Sequence, residues 1–232
     1  MSFTHAIGAA ADKIVVLIVR ALAVARIHPN TLTFIGVLIN VAAAAILATG
    51  NFRLAGGVIV FAAVFDLVDG RVARATGRVT RFGGFFDSVM DRYSDLFLLI
   101  GLLVYYASIN RFFYIVLTAV AMVATVMVSY SRSRAENVIP KCKVGFMERP
   151  ERIVLLIIGA LFDRMAPVLW VIAVLGNLTV IHRMIYTWQE TRRLEAEESV
   201  QAAVAVDPPE GEAAPKEAGE EKPVRRQESP AT

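Results

Sequence analysis

Asp66 and Asp69 are spaced i, i+3, and Asp87 and Asp91 i, i+4, so on helices each pair shares one face. Two adjacent antiparallel helices joined by a short turn would bring the four carboxylates together. In a partly dry site such a group repels itself, and unpaired it would protonate. Cations must therefore neutralise it. Arg71, Arg74, Arg78 and Arg81 are near in sequence and would do so in a purely structural ion-pair network. Divalent cations are the other source, and an all-oxygen donor set suits Mg²⁺ or Mn²⁺. Gly70 follows Asp69 directly, and Gly83 and Gly84 open the second helix, where a ligand can approach the backbone closely. Together these residues suggest a phosphate-bearing ligand: carboxylates hold the metals, the metals bridge a pyrophosphate, and Arg74 adds a cationic contact.

A second group is basic. "SYSRSRAENVIPKCKVGFMERPERIV" holds Arg132, Arg134, Lys141, Lys143, Arg149 and Arg152, and Arg183 ends the last apolar segment. So many cations suit a ligand that carries a phosphate rather than a neutral one. Lys141, Lys143, Arg192 and Arg193 are assigned to lipid headgroups. Arg132, Arg149, Arg152 and Arg183 are assigned to that phosphate. Arg149 and Arg152 open a helix, where cations oppose the helix dipole, so Glu148 or a ligand phosphate must compensate.

The elements that position these residues are apolar. The chain of 232 residues is 56% hydrophobic with a mean hydropathy of +0.56, which points to an all-α polytopic membrane protein. One cysteine, Cys142, excludes an intrachain disulfide, and His5, His28 and His182 lack metal-binding spacing. Six apolar segments begin near residues 32, 54, 96, 112, 153 and 166. The second and third are too short as apolar runs, since about 12 residues cover about 18 Å of a core about 30 Å thick. Backbone in lipid must stay helical, so the second helix is expected to run through Ala75 and the third to start near Gly84. Those added turns carry the aspartates.

Lysine and arginine gather on one side, leaving Arg53, Arg111 and Arg164 on the other. Both termini and the charged site are therefore expected in the cytoplasm. Residues 1–28 read as an amphipathic helix on the membrane surface, residues 29–194 as the six-helix domain, and residues 195–232 as a disordered tail. That tail holds ten acids and four bases, which leaves the first 194 residues at +9, a balance suited to an anionic substrate or lipid surface. Nucleic acid is not an expected partner.

Asp66-x2-Asp69-Gly70-x2-Ala73-Arg74-x8-Gly83-x3-Asp87-x3-Asp91 resembles the signature of the CDP-alcohol phosphotransferases at every fixed position. The resemblance implies a six-helix membrane enzyme, usually a homodimer, that moves a phosphatidyl-type group from a CDP-linked donor to an alcohol and releases CMP. It implies that Asp66, Asp69, Asp87 and Asp91 hold two divalent metals, Mg²⁺ or Mn²⁺, and that Asp91 is the general base. Asp69, Gly70, Ala73, Arg74, Thr80 and Gly83 would line the CDP site, with Asn30 and Thr33 from "HPNTLT". "SYSRSRAE" and "GFMERPER" look like segments of the branch that uses inositol phosphate, including its archaeal ether-lipid counterparts, and imply that Arg132, Arg149, Arg152 and Arg183, with Ser129, bind the acceptor phosphate. Arg132 stands where a lysine is common in that branch, and "ENVIPKCKVGF" departs from its glycine-rich form. The implied reaction converts CDP-diacylglycerol and inositol phosphate to phosphatidylinositol phosphate and CMP. The alternatives are transfer to glycerol 3-phosphate, an ether-lipid donor, a non-catalytic nucleotide or lipid binder, and a transporter. The last is disfavoured by the lack of an internal repeat.

Overall fold

The computed structural model describes residues 29–75 and 80–206, with side chains at 30–66 and 80–202. The expected surface helix over residues 1–28 lies outside the described residues. Among the described residues the chain is all-helical, with α1 Pro29–Ala48, α2 Phe52–Ala75, α3 Arg81–Ser108, α4 Phe112–Ala135, α5 Arg149–Leu161 and α6 Met165–Val206. The expected extension of the second helix through Ala75 is present, and the third begins one turn earlier than Gly84. Thr80 sets that start: it is extended at φ −122°, and its Oγ1 accepts from the Gly83 N–H over 2.9 Å.

Three tight turns reverse the chain at the opposite end. Gly50, Asn110 and Asp163 each take positive φ, at 82°, 52° and 57°. Glycine does so without strain, and Asn and Asp are the side chains that tolerate it best. Such short connections make neighbours antiparallel. The N-termini of α1, α3 and α5 thus share one end with the later parts of α2, α4 and α6.

Near the turns lies an apolar core. Leu47 of α1, Ile59 of α2, Leu98 and Leu102 of α3, Ala121 of α4, Leu156 of α5 and Leu169 of α6 are all buried in one cluster. Small residues bring the helices close: a Cβ on Gly101 would strike the Ala44 backbone, and one on Gly176 would meet the Ala124 Cβ at 2.9 Å. Outside, Phe34, Leu38, Leu54, Phe61 and Trp170 are exposed, as on a surface that faces lipid. The protein is a membrane protein.

Stretches of α1, α4 and α6 are long and apolar enough to cross a bilayer. Helices α2 and α3, with 24 and 28 residues, have the length but carry the charged residues. Helix α5 has only 13 residues, about 20 Å at the helical rise and short of the bilayer core. Composition also misjudged the end of the bundle. Residues 195–206, expected in a disordered tail, continue α6. Glu and Ala are strong helix formers, and Arg193 pairs with Glu197 over 3.2 Å at i, i+4. Residues 207–232 lie outside the described residues.

Candidate active site

Asp66 in α2 and Asp91 in α3 meet at one cation. Arg149 at the N-terminus of α5 places Nη2 2.7 Å from Asp66 Oδ2 and 3.0 Å from Asp91 Oδ1. Its Nε lies 3.5 Å from Asp95 Oδ1. Asp87 lies one turn before Asp91 on the same face of α3. Asp66 fits because α1 has no side chain at Gly36, where a Cβ would sit 2.8 Å from Asp66 Oδ1. The structure therefore brings Asp66, Asp87 and Asp91 to one end of the bundle. Their donor set is all carboxylate oxygen, which fits a hard divalent cation. Among the described residues no group of three acidic, Cys or His side chains closes on a metal position, and Arg149 is the cation between them. Asp69 is in α2, and its side chain lies outside the described residues.

Asp91 also faces a cavity of about 550 Å³. Ser129, Arg132, Arg149, Arg152 and Arg183, the five residues assigned to the acceptor from sequence, all line it. They come from α4, α5 and α6. Arg132, at the end of α4, reaches Glu148 Oε1 over 2.9 Å and Glu136 Oε1 over 3.2 Å. Arg183 is 1% exposed and ties α6 to α4 and to the connection between α4 and α5. It donates to the carbonyls of Val128 and Val144 and to Glu148 Oε1, the last over 3.0 Å.

The segment between α4 and α5 is held in the same way. Thr179 Oγ1 accepts from the N–H groups of Phe146 and Met147, each over 3.2 Å, and donates to Leu175 O over 2.7 Å. Gly145 takes φ 122°, and a Cβ there would lie 2.5 Å from Thr179 Cγ2. This packing aims α5 so that Arg149 and Arg152 face the cavity.

The dipole problem at the start of α5 is solved by carboxylates that sequence reasoning did not pair. Arg152 Nη2 donates to Asp95 Oδ2 over 2.7 Å in a buried pair. Asp95 lies one turn beyond Asp91, outside the signature. Its signal was present, since Asp87, Asp91 and Asp95 repeat every four residues along one face of α3. Glu148 turns instead to Arg132 and Arg183.

On the donor side, Thr80 and Gly83 at the start of α3 adjoin Asn30 at the start of α1, with Asn30 Oδ1 3.5 Å from a Cβ built on Gly83. Thr33 is buried one turn further along α1. Gly70, Ala73 and Arg74 belong to the last turns of α2, and their side chains lie outside the described residues.

The chain is similar to proteins already known. Residues 26–188 match the family model for CDP-alcohol phosphatidyltransferase. The chain is 38% identical to an archaetidylinositol phosphate synthase of Pyrococcus horikoshii, over 76% of this chain and 90% of that protein. It is 34% identical to a phosphatidylinositol phosphate synthase of Mycobacteroides abscessus, over 71% of this chain and 79% of the relative. In three dimensions it resembles a Mycobacterium tuberculosis phosphatidylinositol phosphate synthase with CDP-DAG bound, with a TM-score of 0.70 and 29% identity over 76% of this chain and 94% of the other. A second crystal structure of that enzyme, with manganese and citrate, gives a TM-score of 0.69 and 30% identity over 75% and 88%. The signature, the meeting of Asp66 and Asp91 at Arg149, and these matches make one conclusion: the chain belongs to the CDP-alcohol phosphatidyltransferase family.

Proposed function

We propose that this transferase moves a phosphatidyl group from CDP-diacylglycerol to inositol phosphate, giving phosphatidylinositol phosphate and CMP. The observation that carries the reading is the position of Asp91. It belongs to the carboxylate group with Asp66, and it lines the arginine-rich cavity. One side chain thus stands where a nucleotide-linked donor and a phosphate-bearing acceptor would meet. The names of the relatives, and the CDP-DAG and manganese bound to the mycobacterial enzyme, support the same reading.

Asp66, Asp69, Asp87 and Asp91 would hold two divalent cations, Mg²⁺ or Mn²⁺. When bound, these neutralise the donor pyrophosphate and the charge that develops on CMP. Asn30, Thr33, Thr80 and Gly83, with Asp69, Gly70, Ala73 and Arg74 as the family resemblance implies, would bind the nucleotide. Arg132, Arg149, Arg152, Arg183 and Ser129 orient the acceptor phosphate. Asp91 takes the proton from the acceptor hydroxyl as its oxygen forms a bond to the lipid-bearing phosphorus. The bond from that phosphorus to the bridging oxygen breaks, and CMP leaves with the electron pair.

The reaction belongs at a boundary, because CDP needs water and acyl chains need lipid. Six membrane helices, of which α5 is short and reaches the far side only with the extended segment before it, would put both termini and the site in the cytoplasm, as the lysine and arginine distribution suggests. Residues 29–194 form the catalytic domain in this reading, and a homodimer is the assembly that the family resemblance implies. The test is CMP release by the purified protein with CDP-diacylglycerol, or its ether-linked analogue, and a panel of acceptors. Release with inositol phosphate and not with inositol is expected. Release with glycerol 3-phosphate in its place would refute the acceptor and leave the donor chemistry standing.

A further inference from the structure

We infer that Arg149 is the internal counter-ion of the metal site, and that it exchanges with divalent cations and then serves the acceptor phosphate. The inference rests on the reading above, in which the carboxylates take metal and the cavity takes a phosphate. Three features of the structure carry it.

The first is competition for the same atoms. A single nitrogen of Arg149 lies 2.7 Å from Asp66 Oδ2 and 3.0 Å from Asp91 Oδ1. A cation bound by both carboxylates would stand against this guanidinium, and like charges at such distances in a partly dry site repel strongly. The arginine must yield when the cation enters.

The second is freedom to move. The Arg149 side chain is 28% exposed and lines the cavity. Arg152, at 4%, is fixed on Asp95, and Arg183 is held by two carbonyls and Glu148. Arg149 holds no backbone carbonyl among its described contacts.

The third is incomplete satisfaction. Arg149 Nε and Asp95 Oδ1 are buried and make no hydrogen bond, because their 3.5 Å separation is too long. The guanidinium is stretched between three carboxylates and leaves donor capacity unused. A phosphate in the adjoining cavity would use it.

The consequence is coupling. While Arg149 neutralises Asp66 and Asp91, its charge is not available to an anion. Cation entry releases that charge toward the cavity. Metal and acceptor then bind cooperatively, and each raises the affinity of the other by the same factor.

The test uses full-length protein in detergent, Mn²⁺ as the probe, and Arg149→Gln beside Arg149→Lys. Free Mn²⁺ is followed by electron paramagnetic resonance. Arg149→Gln should bind Mn²⁺ about tenfold tighter than wild type, the size of a lost charge-assisted contact, and Arg149→Lys should stay near wild type. In EDTA the Gln variant should unfold at lower temperature, and Mn²⁺ should restore it to the wild-type Mn²⁺ value. In wild type, saturating Mn²⁺ should tighten inositol phosphate binding several-fold, and that gain should vanish in Arg149→Gln. Unchanged or weaker Mn²⁺ binding by Arg149→Gln, or a stability loss that Mn²⁺ does not repair, would overturn the inference. The proposed reaction would still stand if wild type released CMP only with Mn²⁺. Absence of Mn²⁺ binding by wild type would overturn both.

Discussion

Arg152 on α5 donates to Asp95 on α3 over 2.7 Å, with both side chains 4% exposed. The pair joins positions 57 residues apart and fixes the short helix α5 against the helix that carries Asp87 and Asp91. Arg149 lies one turn before Arg152 on the same face, so this pair also sets where Arg149 reaches. Removing one partner leaves a buried charge uncompensated and is expected to cost about 3–5 kcal/mol. Thermal unfolding in detergent should show a large loss for Arg152→Ala and for Asp95→Ala. The double variant should lose less than the two single losses together. Additive losses would mean that the two side chains do not support each other.

Gly36 gives a test by size alone. A methyl group there would meet Asp66 Oδ1 at 2.8 Å, whereas one on Gly57 would meet nothing within 4 Å. Gly36→Ala is expected to cut CMP release at least about tenfold, since an ångström of misplacement at a reacting site is costly. Gly57→Ala is expected to leave it near wild type. Equal activity in the two variants would show that Asp66 does not need its present position.

Arg132 and Arg183 separate binding from support. The Arg132 side chain is 39% exposed and bonds only to Glu136 and Glu148 among its described contacts, while that of Arg183 is 1% exposed and holds two carbonyls as well. Arg132→Ala should raise the acceptor KM by about tenfold or more, leave the donor KM alone and barely change Tm. Arg183→Ala should lower Tm as well as raise the acceptor KM. Equal changes in both KM values would count against the cavity as the acceptor site.

The helices that carry the aspartates were legible because their information is local. The spacing of Asp66, Asp69, Asp87 and Asp91 needs only helical periodicity, and the need to span lipid predicted that α2 would continue to Ala75. The pairing of Arg149 with Asp66 was not legible, because it joins residues 83 apart through the packing of α5 on α2. Asp95 was passed over because it lies beyond the signature, although it continues the face of Asp87 and Asp91. The end of α6 was misjudged for a different reason. A Glu-rich and Ala-rich stretch lacks the apolar surface to fold alone, yet it extends a helix already nucleated by Met165 to Glu190.

In the proposed reaction Asp91 is the residue on which donor and acceptor sites converge, and its substitution tests that convergence most directly. The measurement is CMP release beside CDP-diacylglycerol binding in purified Asp91→Asn. Retained donor binding, with release reduced by about 10²–10⁴-fold, is the predicted result for loss of a general base. Turnover at the wild-type rate would contradict the account.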